Sequence, residues 1–131
     1  MDTNGNTKEL IKDLCSRLPY GVKISIPELW IKEKRIEVLN EIFKGDDGLY
    51  RVNDSGMLIE HIKPYLFPFS SMTGEQKDEY CHLQQKVIYN SKGPVNTDVM
   101  EYVNWCYKNH IDVNGLIPLN LAIDATGLNI Y

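Results

Sequence analysis

Cysteine, histidine and aspartate fall close together once in this chain, at Cys106, His110 and Asp112. In that order they are the parts of a thiol nucleophile, its base and the group that orients the base. Such a set would suit a small hydrolase or transferase. A catalytic thiol, however, needs a partly exposed, electropositive setting to ionise. Cys106 falls instead on the apolar face that Val99, Met100, Val103 and Tyr107 make on a predicted helix. The pattern therefore reads as a core thiol beside a histidine at a helix C-terminus, where the dipole favours it, and no catalytic residue is assigned.

The same histidine raises the question of a metal. Cys106 and His110 stand four apart on one helix face, and Cys81 with His82 adds two more ligand types. Adjacent residues, though, point about 100° apart around a helix, whereas structural zinc sites take closely spaced ligand pairs from both ends. No metal or other cofactor is expected. The glycines are scattered among turns and form no phosphate-cradling loop between strand and helix. Asp46-Asp47 lies in a turn and Asp78-Glu79 in the first turns of a helix, where acids are stabilising anyway.

Charge narrows the partners. The chain carries 14 basic against 18 acidic residues, a net charge of -4. Divided at Pro68, it has 10 basic and 11 acidic residues before that point, then 4 and 7 after it. Neither part has the positive excess that would neutralise several phosphates. The one basic cluster, Lys32, Lys34 and Arg35 near Trp30, is interrupted by Glu33 and followed by Glu37, the pattern of a solvated strand edge. Binding of single-stranded nucleic acid along it is the alternative reading, because small barrels can present aromatic and basic side chains together. No apolar run is long enough for a membrane span and no signal peptide is evident, so the expected address is the cytoplasm. Cys15, Cys81 and Cys106 are odd in number and lack framework spacing. They read as buried free thiols.

These residues must be positioned by elements whose rhythm changes near residue 68, from alternation to helical spacing. Asn6 with Glu9 resembles a capping box, and Leu10, Ile11, Leu14, Cys15 and Leu18 make an apolar stripe with Lys8, Lys12, Asp13 and Arg17 largely opposite. Pro19 stops that helix. Gly21 to Ile26 alternates as a half-buried strand, and Arg35 to Phe43 repeats the pattern with Ile36, Val38 and Ile42 on one side. Turns at 44–48 and 53–56 then separate strands Leu49 to Val52 and Met57 to Ile62. Lys63 to Ser71, with Pro64 and Pro68 among aromatics, reads as a packed extended connector.

Beyond it, Thr73 with Gln76 signals a helix to about Tyr89, in which Tyr80, Leu83 and Val87 define a face. Gly93-Pro94 breaks the chain, Asn96 or Thr97 caps the next helix, and a short helix starts at Pro118 and runs through Ile123. The end is an irregular tail whose Leu128, Ile130 and Tyr131 dock on the body. The expected fold is one α+β domain: an N-terminal helix (1–20), a β-unit (21–68) forming a small antiparallel SH3-like barrel or curled four-stranded meander, and a helical part (69–131). An open sheet is the main competitor.

Three segments together carry a resemblance: Leu14-Cys15-Ser16-Arg17-Leu18-Pro19-Tyr20-Gly21-Val22-Lys23, then Ile62-Lys63-Pro64-Tyr65-Leu66 with Ser70-Ser71-Met72-Thr73, and finally Gly115-Leu116-Ile117 with the tail. With these the chain resembles small proteins of Bacteroides and of their phages or prophages, a group that brings no activity or catalytic residue to carry over. The resemblance implies a bacterial or phage setting and a cytoplasmic accessory role. The leading functional expectation is a non-enzymatic protein-interaction module, with Trp30, Tyr65, Phe69 and Trp105 as candidate exposed aromatics for a protein partner.

Overall fold

A computed structural model describes residues 3–27, 34–88 and 96–131. In chain order the elements are α1 (Thr3–Arg17), β1 (Lys23–Pro27), β2 (Lys34–Val38), β3 (Ile42–Lys44), β4 (Tyr50–Val52), β5 (Met57–Leu58), β6 (Lys63–Leu66), α2 (Gly74–Ile88), α3 (Asn96–Lys108) and β7 (Ile123–Asp124). Short 3-10 turns at Leu18–Tyr20, Ile59–His61 and Phe69–Ser71 join them. The breaker Gly93-Pro94 lies outside the described residues, as do Trp30 and Lys32.

The residue faces of α1 differ from expectation. Leu10 and Leu14 are buried, but so are Asp13 and Arg17, both fully, while Cys15 is exposed. Positions 10, 13, 14 and 17 follow the i, i+3, i+4, i+7 rule of a helix face. The two charged members occupy it because they neutralise each other. The helix also starts at Thr3, leaving Asn6 and Glu9 inside it.

The pleated half is mixed in topology. One sheet has the order β2-β1-β6-β7 and the other β3-β4-β5, and no closed barrel forms among the described residues. The run expected as one strand, Arg35 to Phe43, is broken at 39–41 and feeds both sheets, so β2 pairs with β1 while β3 pairs with β4. Asn53 holds the break. It is 4% exposed, adopts φ 55, accepts from the amides of Asn40 and Glu41, and donates from Nδ2 to the Val38 carbonyl at 2.9 Å.

The connector is more regular than its prolines suggested, because Pro64 lies within β6. Residues Ile24 and Pro64 are partners in register, but Ile24 turns its backbone groups toward β2, and β7 pairs only from Tyr65 onward. The missing proline N–H therefore costs no ladder bond. The helix expected from Pro118 is absent. The chain makes tight turns there instead and delivers β7 parallel to β6.

The core lies between α1 and the sheets and contains Leu14, Val22, Ile24, Ile26, Leu39, Val52, Ile62 and Leu66, all at most 1% exposed. The capping box at Thr73 is formed: the Thr73 amide donates to Gln76 Oε1 at 3.0 Å and the Gln76 amide to Thr73 Oγ1 at 3.1 Å. α3 buries Cys106 and Tyr107 but leaves Val99 and Met100 exposed, against expectation. The inward stripe is confined to its C-terminal half, which lies against α1.

Candidate functional site

The chemical trio is positioned by α3 and the turn that follows it. Cys106 is fully buried, and burial pushes its thiol up to about 11, with Arg17 pulling the other way. A thiol so placed stays protonated at neutral pH. His110 closes α3 in a left-handed conformation, φ 60. Its ring stacks on Tyr131 at 3.9 Å between centroids and 13° between planes. Burial, reinforced by Arg17 and Lys23, lowers its pKa to about 4. The Asp112 carboxylate is taken by backbone, accepting from the Leu116 amide at 2.7 Å and the Ile117 amide at 2.9 Å. No hydrogen bond joins the three side chains, so no relay is assembled.

Arg17 organises this region. Its Nε donates to Asp13 Oδ2 at 2.7 Å, and its Nη2 to Asp13 Oδ1 at 3.1 Å and to the Ile111 carbonyl at 2.7 Å. The guanidinium lies 4.9 Å from the centre of the Tyr107 ring. Asn114 completes the node, donating to Asp13 Oδ1 at 2.8 Å. Two buried polar atoms, Arg17 Nη1 and His110 Nδ1, have no hydrogen-bond partner among the described residues. The cluster ties α1 to the end of α3, a structural task for residues whose types suggest chemistry.

The C-terminus is also built in. The Tyr131 hydroxyl accepts from the Lys23 amide at 2.9 Å and donates to the Tyr65 carbonyl at 2.7 Å. It stands in the ladder where β1 and β6 splay apart. Burial raises its pKa to about 12, so it remains a donor. Of the expected docking residues Tyr131 stacks on His110 and packs on Phe67 while still 42% exposed, Ile130 is half-buried and Leu128 is exposed.

Metal chemistry finds no constellation: among the described residues no group of three or more His, Cys, Asp or Glu is placed to hold an ion. Cys81 is exposed on α2, contrary to the expected burial, and Cys106 is buried beneath α3. A cleft of about 250 Å³ opens between α1 and the Ile59–His61 turn. Glu60 and His61 on its rim are more than half exposed, and Lys63 is tied to Asn120 Oδ1 at 3.0 Å. No described helix is long and apolar enough to cross a membrane.

Of the four candidate aromatics, Trp30 lies outside the described residues, and Tyr65, Phe69 and Trp105 do not form one patch. Tyr65 is 6% exposed and belongs to the sheet, which removes it from the surface. Phe69 and Trp105 both pack on Tyr80, at 5.4 and 6.0 Å between ring centroids, and Tyr102 joins them at 5.4 Å. Their polar ends are satisfied within the layer: the Tyr80 and Tyr102 hydroxyls share a 2.7 Å hydrogen bond, and the Trp105 indole N–H donates to Glu79 at 2.8 Å. These rings cement α2 to α3. Of the basic candidates, Lys32 lies outside the described residues, Lys34 begins β2, and Arg35 pairs with Glu37 at 2.6 Å. That ion pair cancels the charge a phosphate would seek.

The apolar surface that the described residues leave uncovered lies on β2. Ile36 and Val38, expected to point inward, are 47% and 41% exposed. The register explains this, because Arg35 and Glu37 stand opposite the buried Ile26 and Ile24, so the intervening apolar residues face the other way. The phase of the ladder follows from the 2.8 Å bond from the Leu39 amide to the Val22 carbonyl. Pairs 22/39, 24/37 and 26/35 are the hydrogen-bonded ones, and the backbone groups of Lys34, Ile36 and Val38 point away from β1. Among the described residues no strand pairs with β2 on that side. Alternation in the sequence announced a strand here but not which phase faces the core. No family model matches the chain, and neither a curated protein nor a solved structure shows significant similarity to it.

Proposed function

We propose that this chain is a non-enzymatic protein-interaction module, built on an SH3-like pleated unit and recognising an extended segment of a partner along the edge of β2 that no described strand pairs with. The single observation that carries this reading is the outer row of β2, where backbone donors and acceptors stand beside the exposed Ile36 and Val38. Strand addition to such an edge gives affinity through main-chain hydrogen bonds and selectivity through alternate side chains. The three residues of the Cys-His-Asp trio are engaged elsewhere: Cys106 by burial, His110 by stacking, Asp112 by two amides.

Strand connectivity supports the SH3-like part of the proposal. The residues from Lys34 to Lys44 feed two sheets, ordered β2-β1-β6 and β3-β4-β5, and a 3-10 turn separates β5 from β6. An accessory role in the cytoplasm of a bacterium, or in a phage or mobile-element process, is the setting that the resemblance suggests for such a module. Ile36→Pro tests the reading. It deletes the outward N–H of Ile36, the middle one of the row, without touching the bonds to β1. Tagged wild-type chain is expected to capture host proteins, untagged copies of itself included, that the variant does not. Recovery of the same proteins by both would show the edge to be uninvolved.

A further inference from the structure

The outer strand reads Lys34-Arg35-Ile36-Glu37-Val38, and the two residues that flank Ile36, Arg35 and Glu37, carry opposite charges. A second copy of the strand laid antiparallel about a two-fold axis through Ile36 sets Ile36 opposite Ile36, Arg35 opposite Glu37 and Lys34 opposite Val38. We propose that the occupant of the β2 edge is a second copy of this chain, paired β2 to β2 in this register. The two four-stranded sheets then become one continuous sheet. The proposal rests on the reading of β2 as the recognition edge and names its partner.

Three observations converge on it. First, the backbone phase is correct: Ile36 turns both its N–H and its C=O outward, so the central pair is hydrogen-bonded, with the Lys34 and Val38 pairs beyond it. The Val38 carbonyl already accepts from Asn53 and keeps a second lone pair for the incoming amide. Second, Arg35 and Glu37 then face their partners at non-hydrogen-bonded positions. Cross-strand side chains come closest there, with Cβ atoms about 4.5–5.5 Å apart. Their ion pair within the strand, 2.6 Å long, holds both groups on the shared face, and Asn53 Nδ2, donating to Glu37 Oε1 at 3.1 Å, fixes the carboxylate there.

Third, the pattern rejects the competing registers. Slipping the copy by two residues sets Arg35 against Arg35 or Glu37 against Glu37, and a parallel copy in register sets like against like. Edge strands usually carry charge to discourage pairing. Here the same charges admit one arrangement and penalise its neighbours.

Five residues per copy make a small interface, so the expected equilibrium is concentration-dependent, with dimer appearing between about 10 μM and about 1 mM. Sedimentation velocity on the purified full chain tests it, with circular dichroism confirming that each variant is folded. Arg35→Glu alone and Glu37→Arg alone place like charges opposite each other, and each is expected to weaken self-association at least about tenfold. An equimolar mixture of the two restores both attractive pairs and is expected to form a heterodimer. The double variant Arg35→Glu/Glu37→Arg keeps the pairs within and between chains and is expected to dimerise like wild type. It carries the test if a single variant unfolds.

Ile36→Pro is expected to be monomeric. Wild type that stays monomeric at about 1 mM overturns the proposal. If capture of a different protein still depends on Ile36, the edge-recognition reading survives that failure. A dimer indifferent to the charge reversals and to Ile36→Pro overturns the proposal as well. If capture is equally indifferent, the edge-recognition reading falls with it.

Discussion

Asp13 and Arg17 show how far a residue's type can mislead about its place. Both are fully buried, and each satisfies the other within a network that includes Asn114 and the Ile111 carbonyl. Removing one partner strands the opposite charge in the interior. Asp13→Ala is therefore expected to lower stability by about 3–5 kcal/mol in chemical denaturation. The double variant Asp13→Leu/Arg17→Met, which leaves no uncompensated charge, should lose far less. His110 supplies a pH dependence. Its pKa falls from 6.5 to about 4 on folding, through burial and then through Arg17 and Lys23. Between those values the unfolded chain binds more protons, so this contribution to stability is fully present above about pH 6.5 and disappears as the pH falls toward 4. His110→Asn tolerates the left-handed backbone and does not titrate. Its melting temperature should fall less steeply than that of wild type across that window.

At the scale of elements, two side chains substitute for backbone. The Tyr131 hydroxyl completes the β1–β6 ladder where the strands diverge, and Asn53 clips the end of β2 to the second sheet. Tyr131→Phe keeps the stack on His110 but leaves the Lys23 amide and the Tyr65 carbonyl unpaired, an expected loss of about 1–3 kcal/mol by urea melt. A tail that merely rested on the body would show no such loss. The aromatic layer of Phe69, Tyr80, Tyr102 and Trp105 belongs to the same scale. Large rings in a sequence invite a search for partners, and here the partners are one another.

At the scale of the molecule, burial is uneven. β1 and the C-terminal half of α3 are enclosed, whereas β2 exposes Ile36 and Val38 and the start of α3 exposes Val99 and Met100. Native-state hydrogen exchange should therefore find the Ile24, Ile26, Leu39 and Cys106 amides slowest and the Met100 amide among the first to exchange. Comparable protection of Met100 and Cys106 would mean that α3 opens as one unit.

Element types were legible wherever local chemistry decides them. The Thr73–Gln76 capping box, the alternation of Val22, Ile24 and Ile26, and the turns at 44–48 and 53–56 all act within a few residues. So does the burial of Cys106 on an apolar helix face. What only the tertiary structure decided is how faces meet. The phase of β2 depends on which residue stands opposite Ile24, the burial of Asp13 and Arg17 on what α3 offers them, and the parallel placement of β7 on a partner some 58 residues away in the chain. Those outcomes are set by contacts between distant segments, and the free energy of such contacts is absent from any short window of sequence.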